Sequence, residues 1–499
     1  MKKHILILTL LFSMAAVSRA AETADISMML ELGDFNGAAA AIQSLKSAED
    51  RHIWQSRIYF YQGDYLSAAK EMAFLENSGD NRKLQNFYIA LVEYNKNSQT
   101  FESSHFILRA SDNDVILSSY ALTALESAYE KIGASIGCYP ADKILVEIYS
   151  NKEGFAAAST LGIEIVKKSG TVGICKFNRL MMLSPEALPL GFRWLDTLAH
   201  EYTHLIVNRK SSGKCPLWLH EGIARYHDTL WRLNEPLYMS PDGENHLYDA
   251  RKNNKFISFK RMYPSLVYLD TQDDMSLAFA EVSSAVKFMT EEYGGAAVGS
   301  LLENIASAKD DKSGFKKALG LSQESFEGKW KKYLAGAGLH THSGIMSDQP
   351  RFSNFDENEF IGADLKGHIR LGDKMRADNL FEAAIAQYDK ALQQEPSNPV
   401  VLLKIARALN SAGRIDAAEL RLKEAVDANP GYVTPYQVLG ELYYGQKRYD
   451  EAARILNEAV SINPFHPLTH ELLALSYNAL GASAKAEMEY RIAATLKEK

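Results

Sequence analysis

Along residues 367–499, apolar and small side chains recur with a fixed period, and this pattern predicts the C-terminal architecture. Prolines stand at positions 396, 430 and 464, which gives a constant spacing of 34 residues. In the same register, small residues recur at Gly372, Ala406, Gly440 and Ala474. A 34-residue period with small residues at helix crossings is typical of helix pairs that stack into a solenoid. We therefore expect about four helical repeats in this region.

The earlier part of the chain changes from a helical pattern to a mixed one. Residues 21–100 have helical periodicity, with short breaks at Gly-Asp-aromatic motifs that begin at positions 33 and 63. After residue 100, β-rich runs such as residues 144–149 and 180–183 alternate with amphipathic stretches. This order predicts an α+β domain over residues 101–335. Residues 336–366 have few apolar side chains and many Gly, Ser, Asp and Asn residues, which is typical of a linker.

An apolar stretch of the middle domain contains a histidine pattern that suits a metal ion. Residues 200–204 read His-Glu-Tyr-Thr-His, and residues four apart lie on the same face of a helix. His200 and His204 can therefore direct their imidazoles at one ion. Glu221 follows 17 positions after His204, on what we predict to be the next helix, and can supply a third ligand. Three protein ligands and one open position predict a catalytic zinc site rather than a structural one.

The two motifs resemble those of the gluzincin, or peptidase MA-like, zinc metallohydrolases. The similarity comprises residues 200–204 and the sequence Trp-Leu-x-Glu-Gly-x-Ala at residues 218–224, and it extends over roughly residues 101–335. It implies a zincin-like fold in which the two histidines and Glu221 bind zinc. It also implies that Glu201 is the general base toward the attacking water.

The resemblance carries two further implications for the cleft. The edge strand of the sheet, in the region of residues 173–183, is expected to border the cleft and to pair with an extended substrate. Many relatives have a tyrosine on a later helix that stabilises the transition state, and the matching position in this chain is Phe279. Because phenylalanine has no hydroxyl to donate, either another residue takes that role or the activity is weak.

The C-terminal period resembles that of tetratricopeptide repeats (TPRs), whose concave face commonly binds an extended peptide. This resemblance implies that a polypeptide substrate or an envelope protein binds in the TPR groove. The alternative is that the repeats only form a scaffold or a dimer contact, since a solenoid fixes no ligand by itself. The two Gly-Asp-aromatic copies near the N-terminus also resemble degenerate TPRs, with plain helical hairpins as the alternative.

The first 20 residues have the pattern of a cleavable secretory signal. Lys2 and Lys3 form a basic start, residues 5–12 an apolar core, and small residues lead up to Ala20. The apolar run is too short for a stable span, and no later stretch reaches the 18 apolar residues that a membrane helix needs. We therefore expect an exported protein, periplasmic or secreted. An uncleaved N-terminal anchor is the alternative.

Charge and cysteine content narrow the partners and the covalent chemistry. The formal net charge is −7 and no basic run offsets it, which argues against nucleic acid as a partner. The three cysteines, Cys138, Cys175 and Cys215, allow at most one disulfide. Cys215 lies between the two zinc motifs and is either a rival ligand or a buried or paired cysteine.

Taken together, these patterns predict an exported zinc-dependent metallopeptidase with TPR repeats for protein binding. Zinc is the expected cofactor, Glu201 the catalytic base, and His200, His204 and Glu221 the ligands. The alternative is a non-catalytic TPR adaptor or scaffold of the cell envelope that retains a zincin fold. A periplasmic protease-chaperone for outer-membrane assembly would share this zinc-plus-repeat layout, and the sequence does not distinguish it from the metallopeptidase.

Overall fold

We analysed a computed structural model of the 499-residue chain. It describes residues 20–498 except residues 77, 264–265, 267–268, 348–349, 351 and 353–359. Residues 1–19, nearly all of the predicted signal, therefore lie outside the described part. Among the described residues, no helix combines the length and the apolar character needed to cross a membrane.

Helices form the N-terminal arm, a small sheet with helices forms the middle domain, and helix pairs form the C-terminal part. The arm contains α1 (Ala20–Leu32), α2 (Phe35–Gln43), α3 (Ala48–Tyr61), α4 (Tyr65–Met72) and α5 (Gly79–Asn95). The strands are β1 (Ser98–Glu102), β2 (Phe106–Ser111), β3 (Ile144–Tyr149), β4 (Gly173–Lys176) and β5 (Arg179–Leu183). The helices of the middle domain are α6 (Ser118–Ile136), α7 (Lys152–Ser159), α8 (Ile163–Ser169), α9 (Trp194–Lys210), α10 (Leu217–His227), α11 (Pro241–Asn253), α12 (Gln272–Tyr293), α13 (Ala297–Ser307), α14 (Asp311–Leu319) and α15 (Gln323–Gly336). The repeats consist of α16 (Lys366–Ala377), α17 (Phe381–Gln394), α18 (Pro399–Ser411), α19 (Ile415–Ala428), α20 (Val433–Gly445), α21 (Tyr449–Val460), α22 (Pro467–Ala479) and α23 (Ser483–Lys497).

The sheet has the strand order β1-β2-β3-β5-β4, with β2, β3 and β5 parallel and the two edge strands antiparallel. Strand β5 is buried along its whole length, which accounts for its Leu-Met-Met-Leu run, because parallel strands are covered on both faces. The α+β fold class with helical repeats is thus confirmed. The sequence prediction missed β1, whose residues 98–102 are polar apart from Phe101 and part-exposed or exposed at an edge, and so lack an alternating apolar pattern.

A buried ion cluster ties the N-terminal arm to the sheet. Glu147 on β3 is 1% exposed and accepts hydrogen bonds from Tyr65 of α4 (2.6 Å) and from Arg109 of β2 (2.8 Å). The guanidinium of Arg179 on β5, also fully buried, donates to the carbonyl oxygen of Phe60 at 2.5 Å. Because a buried charge without a partner is costly, these contacts fix the arm against the sheet.

The C-terminal helices pack as the 34-residue period predicts. A Cβ atom at Gly372 would lie 2.5 Å from the ring of Tyr388, and one at Gly440 would overlap Leu456. Glycine therefore lets the first helix of each of these pairs approach the second closely.

The third repeat, α20 and α21, contacts the N-terminus of α9 through both of its helices and the loop that precedes them. Arg193, the residue before α9, donates to the carbonyl oxygen of Pro430 (2.6 Å), to Glu458 (2.5 Å) and to Tyr436 (2.8 Å). The indole N–H of Trp194 donates to the carbonyl oxygen of Val460 at 2.9 Å. These contacts place the third repeat at one end of the helix that carries both histidines.

Replacing Arg193 with alanine should weaken this docking, because Glu458 and the carbonyl of Pro430 lose their donor. We expect a loss of about 1–3 kcal/mol. Proteinase K should then cut the segment 337–347 about tenfold faster than in the wild type (about 1.4 kcal/mol). The matched control is Arg491→Ala, because the ion pair of Arg491 with Glu487 is largely exposed and should contribute little. Equal cleavage rates in both variants would contradict this role of Arg193.

Candidate metal centre and cleft

Helix α9 has one buried side and one side that faces a cleft. Tyr202 is fully buried and packs edge-on against Phe106 of β2, with ring centroids 5.7 Å apart. His200 and His204 lie on the cleft side and are partly exposed. Asp196 in the first turn and Arg209 in the last turn complement the helix dipole. The helix is therefore anchored through its apolar side while the imidazoles stay accessible.

The two histidines and Glu221 converge on one point. The Nε2 atoms of His200 and His204 lie 3.7 Å and 3.5 Å from Oε2 of Glu221. One ligand atom from each of the three residues lies within 4.8 Å of the others, in a geometry that can hold a metal ion. Gly222 makes this placement possible, because a Cβ there would lie 2.6 Å from the carbonyl oxygen of Val282 on α12. Close packing of α10 on α12 thus directs Glu221 toward the histidines.

Glu201 lies beside this cluster but outside the group of ligand atoms. Its side chain is 6% exposed, and the edge strand β4 covers it closely: a Cβ at Gly173 would lie 2.8 Å from its Oε1. The pKa of Glu201 is raised to about 7: burial is the main cause and the charge of Glu221 adds to it, while His204 and the backbone N–H of Cys175 act in the opposite direction. The carboxyl group is therefore able to exchange a proton near neutral pH.

Glu221 and the two histidines shift one another's pKa values. Burial alone would raise the pKa of Glu221, but His204 and His200 outweigh it and hold the pKa well below its usual range. The pKa of His204 is raised because Glu221 and Glu201 outweigh the effect of burial. Burial lowers the pKa of His200 to about 4, so this imidazole is neutral at pH 7. A negative carboxylate beside a neutral imidazole is a suitable donor set for a divalent cation.

A third imidazole, that of His220, was missed by the sequence reasoning. Its Nδ1 lies 2.6 Å from Nδ1 of His204, and the two rings stack with centroids 4.6 Å apart. Burial, together with the charge on His204, lowers the pKa of His220 to about 3, so it is a neutral acceptor. When Nδ1–H of His204 donates to His220, the Nε2 lone pair of His204 is free for a metal. The only signal in the sequence is that His220 directly precedes Glu221.

The cluster opens into a cleft with a volume of about 1150 Å³. The middle domain contributes Gly173, Phe279 and Arg225, and the repeats contribute residues from 426 to 458. Linker residues His342 and Met346 also line it. The repeats therefore form part of the same cleft as the candidate metal site.

Arg225, Tyr226 and His227 on α10, and Asp228 directly after it, are not part of the group of metal-ligand atoms. Arg225 forms an ion pair with Asp228, which is buried, at 2.9 Å. The hydroxyl of Tyr226 lies 3.2 Å from that of Thr290, and His227 is buried.

The cysteines form no disulfide among the described residues, in which Cys138, Cys175 and Cys215 are all free thiols. Cys215 is not part of the metal-binding group.

Comparison with known proteins agrees with the two-part architecture. Residues 124–336 match the Peptidase MA superfamily, and residues 375–430 and 411–475 match the tetratricopeptide repeat. The predicted combination of a Peptidase MA superfamily domain with C-terminal TPRs is thus confirmed, and the chain carries both.

Individual relatives match about a quarter of the chain. The small glutamine-rich tetratricopeptide repeat-containing protein 2 of Mycosarcoma maydis is 29% identical over 115 residues, which is 23% of this chain and 33% of that protein. The TPR repeat-containing protein YpiA of Bacillus subtilis is 25% identical over 111 residues, or 22% of this chain and 26% of that protein. The chain thus spans a third or less of these curated relatives. A crystal structure of MamA has 21% sequence identity to this chain. The match covers 28% of this chain and 85% of the MamA chain, with a TM-score of 0.26.

The contact between His204 and His220 predicts an effect on metal affinity. His220→Leu removes the acceptor and should weaken zinc binding about 10- to 100-fold. His220→Asn keeps an acceptor oxygen near the position of Nδ1 and should recover most of the affinity. Competition with a chromophoric chelator at fixed pH measures both, and the thermal unfolding of the metal-free variants is the control for folding. Equal affinities in the leucine variant and the wild type would rule out this contribution.

Proposed function

We propose that this protein is a zinc-dependent metallopeptidase whose repeats bind polypeptide. The observation that carries the proposal is the convergence of His200, His204 and Glu221, with the buried carboxyl of Glu201 next to them. Two nitrogen donors and one carboxylate are the donor set of hydrolytic zinc sites, and such sites keep a further position open. The match of residues 124–336 to the Peptidase MA superfamily supports the same reaction class.

The residues present fit a zinc ion. Zinc prefers nitrogen and carboxylate donors in a tetrahedral arrangement, and the three ligand atoms already lie within 4.8 Å of one another. His200 and His204 would hold the ion through Nε2, and Glu221 through a carboxylate oxygen. When bound, zinc supplies Lewis-acid polarisation of a carbonyl and a nucleophilic water near neutral pH.

The chain's own groups then provide proton transfer and orientation. Glu201 accepts the proton of the attacking water and passes it to the leaving amine, a role that suits its pKa of about 7. Strand β4 is an edge strand, so its free backbone groups can pair with an extended substrate beside Glu201. The hydrogen bond from His204 to His220 keeps the imidazole in the orientation that metal binding needs.

Replacing Glu201 with glutamine separates metal binding from catalysis. Because the amide cannot take a proton, peptide hydrolysis should fall by a factor of about 10² to 10⁴, while zinc stays bound. His204→Ala should lose both the metal and the activity. Metal analysis of the purified proteins and a digest of casein followed by mass spectrometry provide the two readouts. Undiminished hydrolysis in the glutamine variant would contradict the assigned role, and a wild type with zinc but no hydrolysis would favour the adaptor.

We also propose that the protein is exported. The proposal is supported by the basic start, apolar core and small residues of the first 20 positions. Intact-mass measurement of the protein from its native host should give a mature chain that begins near Ala21. A chain that retains Lys2 and Lys3 would contradict cleavage.

A further inference from the structure

The cleft beside the candidate metal site has walls from separate parts of the chain. Gly173 and Ile174 of the edge strand line it, as do linker residue Met346 and, from the repeats, the turn 429–432 and helix α21. Its volume of about 1150 Å³ exceeds the range of about 300–1,000 Å³ that is typical of small-molecule pockets. This size favours a segment of a polymer over a small molecule as the ligand.

The wall formed by the repeats is attached rather than loosely apposed. Arg193 donates to the carbonyl oxygen of Pro430 and to Glu458, and the backbone N–H of Phe192 donates to the carbonyl oxygen of Ile462 at 3.0 Å. The linker adds a second attachment, because Asn429 accepts from the N–H of Met346 at 2.6 Å. A substrate at the metal site therefore meets this edge of the repeats at a fixed position.

This edge presents charged side chains to the cleft. Asp427 at the end of α19 and Arg454 on α21 line the cleft and are exposed. In the described part of the chain, neither has a hydrogen bond or an ion pair with a side chain. Arg454 lies one turn before Glu458, on the helix face that is directed at α9. Both charges are thus available to a ligand, in contrast to Glu458, which is paired with Arg193.

We propose that Asp427 and Arg454 bind the substrate directly and that the substrate is an extended polypeptide lying between strand β4 and this edge of the repeats. An extended chain satisfies the free backbone groups of an edge strand, and its side chains reach charges beyond the strand. The inference rests on the proposed peptidase function and assigns the repeats a second binding surface, separate from their concave groove. The repeats then select substrate at the cleft itself.

Charge reversal tests this assignment. The substrates are reduced, carboxymethylated α-lactalbumin, which is permanently unfolded, and a quenched hexapeptide taken from its first cleavage site. For this anionic chain, Arg454→Glu should lower the ratio of kcat/KM for the protein to that for the hexapeptide about tenfold and Asp427→Lys should raise it by a similar factor, because the long chain alone reaches both charges. A ratio that stays at the wild-type value in both variants would overturn the proposal.

Variants on other helices of the repeats are the matched control. Arg407 and Glu441 are exposed on α18 and α20 and lie outside the cleft lining that the described residues define. Arg407→Glu and Glu441→Lys should leave the ratio unchanged. A change in these variants as large as that in the cleft variants would instead assign recognition to the general charge of the repeats and overturn the proposal.

A binding measurement separates this inference from the peptidase function. Fluorescein-labelled, carboxymethylated α-lactalbumin is titrated with the Glu201→Gln protein, and anisotropy gives Kd. Arg454→Glu in that background should raise Kd about tenfold, because the anionic chain then meets a carboxylate in place of a guanidinium. If the wild type cleaves neither substrate, the peptidase proposal fails and the binding measurement alone tests the inference. A higher Kd in the variant then supports the binding surface, and an unchanged Kd overturns it.

Discussion

The position of α9 is the constraint on which the candidate site depends. Tyr202 packs against Phe106 of the sheet, so the apolar side of the helix cannot rotate without opening the core. Arg193 holds the N-terminus to the repeats, and Arg209 near the C-terminus donates to Asn178, next to β5, at 3.0 Å. A helix fixed at its side and at both ends presents its remaining face in one orientation. That face carries the two imidazoles, so the packing of the helix determines their positions without a bound ion.

Local patterns explain why much of this architecture could be predicted from sequence. The i, i+4 spacing of His200 and His204 depends only on neighbours one helical turn apart, and the 34-residue period is a direct repetition in the sequence, so both could be predicted. Glu221 could be predicted because a short connection joins its helix to α9. The docking of the repeats on Arg193 could not be predicted, because its partner Pro430 lies 237 residues away. His220 escaped notice for a related reason: its role depends on which way a ring points, and spacing does not reveal that.

The electrostatics of the cluster indicate what a metal ion would change. Glu201 and Glu221 are acidic groups in the same partly enclosed site, and burying such groups is unfavourable unless charge is compensated. In the structure His200 and His204 both lie beside Glu221, but the pKa of His200 is lowered to about 4, so this imidazole adds no positive charge to the compensation at pH 7. A divalent cation would complete it at the point where the three ligand atoms converge. The same ion would remove the need for a proton on His204 and leave Nδ1–H to donate to His220.

The free-energy cost of burying ionisable side chains such as Glu201 helps to decide between a hydrolase and an adaptor. An adaptor that only retained the fold would be more stable with apolar residues in place of a buried, shifted acid such as Glu201, since such replacements are often neutral or stabilising. Phe279, at the position of the missing tyrosine, argues the other way because it offers no hydroxyl. Arg225 lessens that objection, since it lines the cleft and its charge lowers the pKa of His200, which places a cation near the reacting centre. A guanidinium can stabilise a developing oxyanion as a tyrosine hydroxyl does. The hydrolase therefore accounts for costly features of the site that an adaptor leaves without a function.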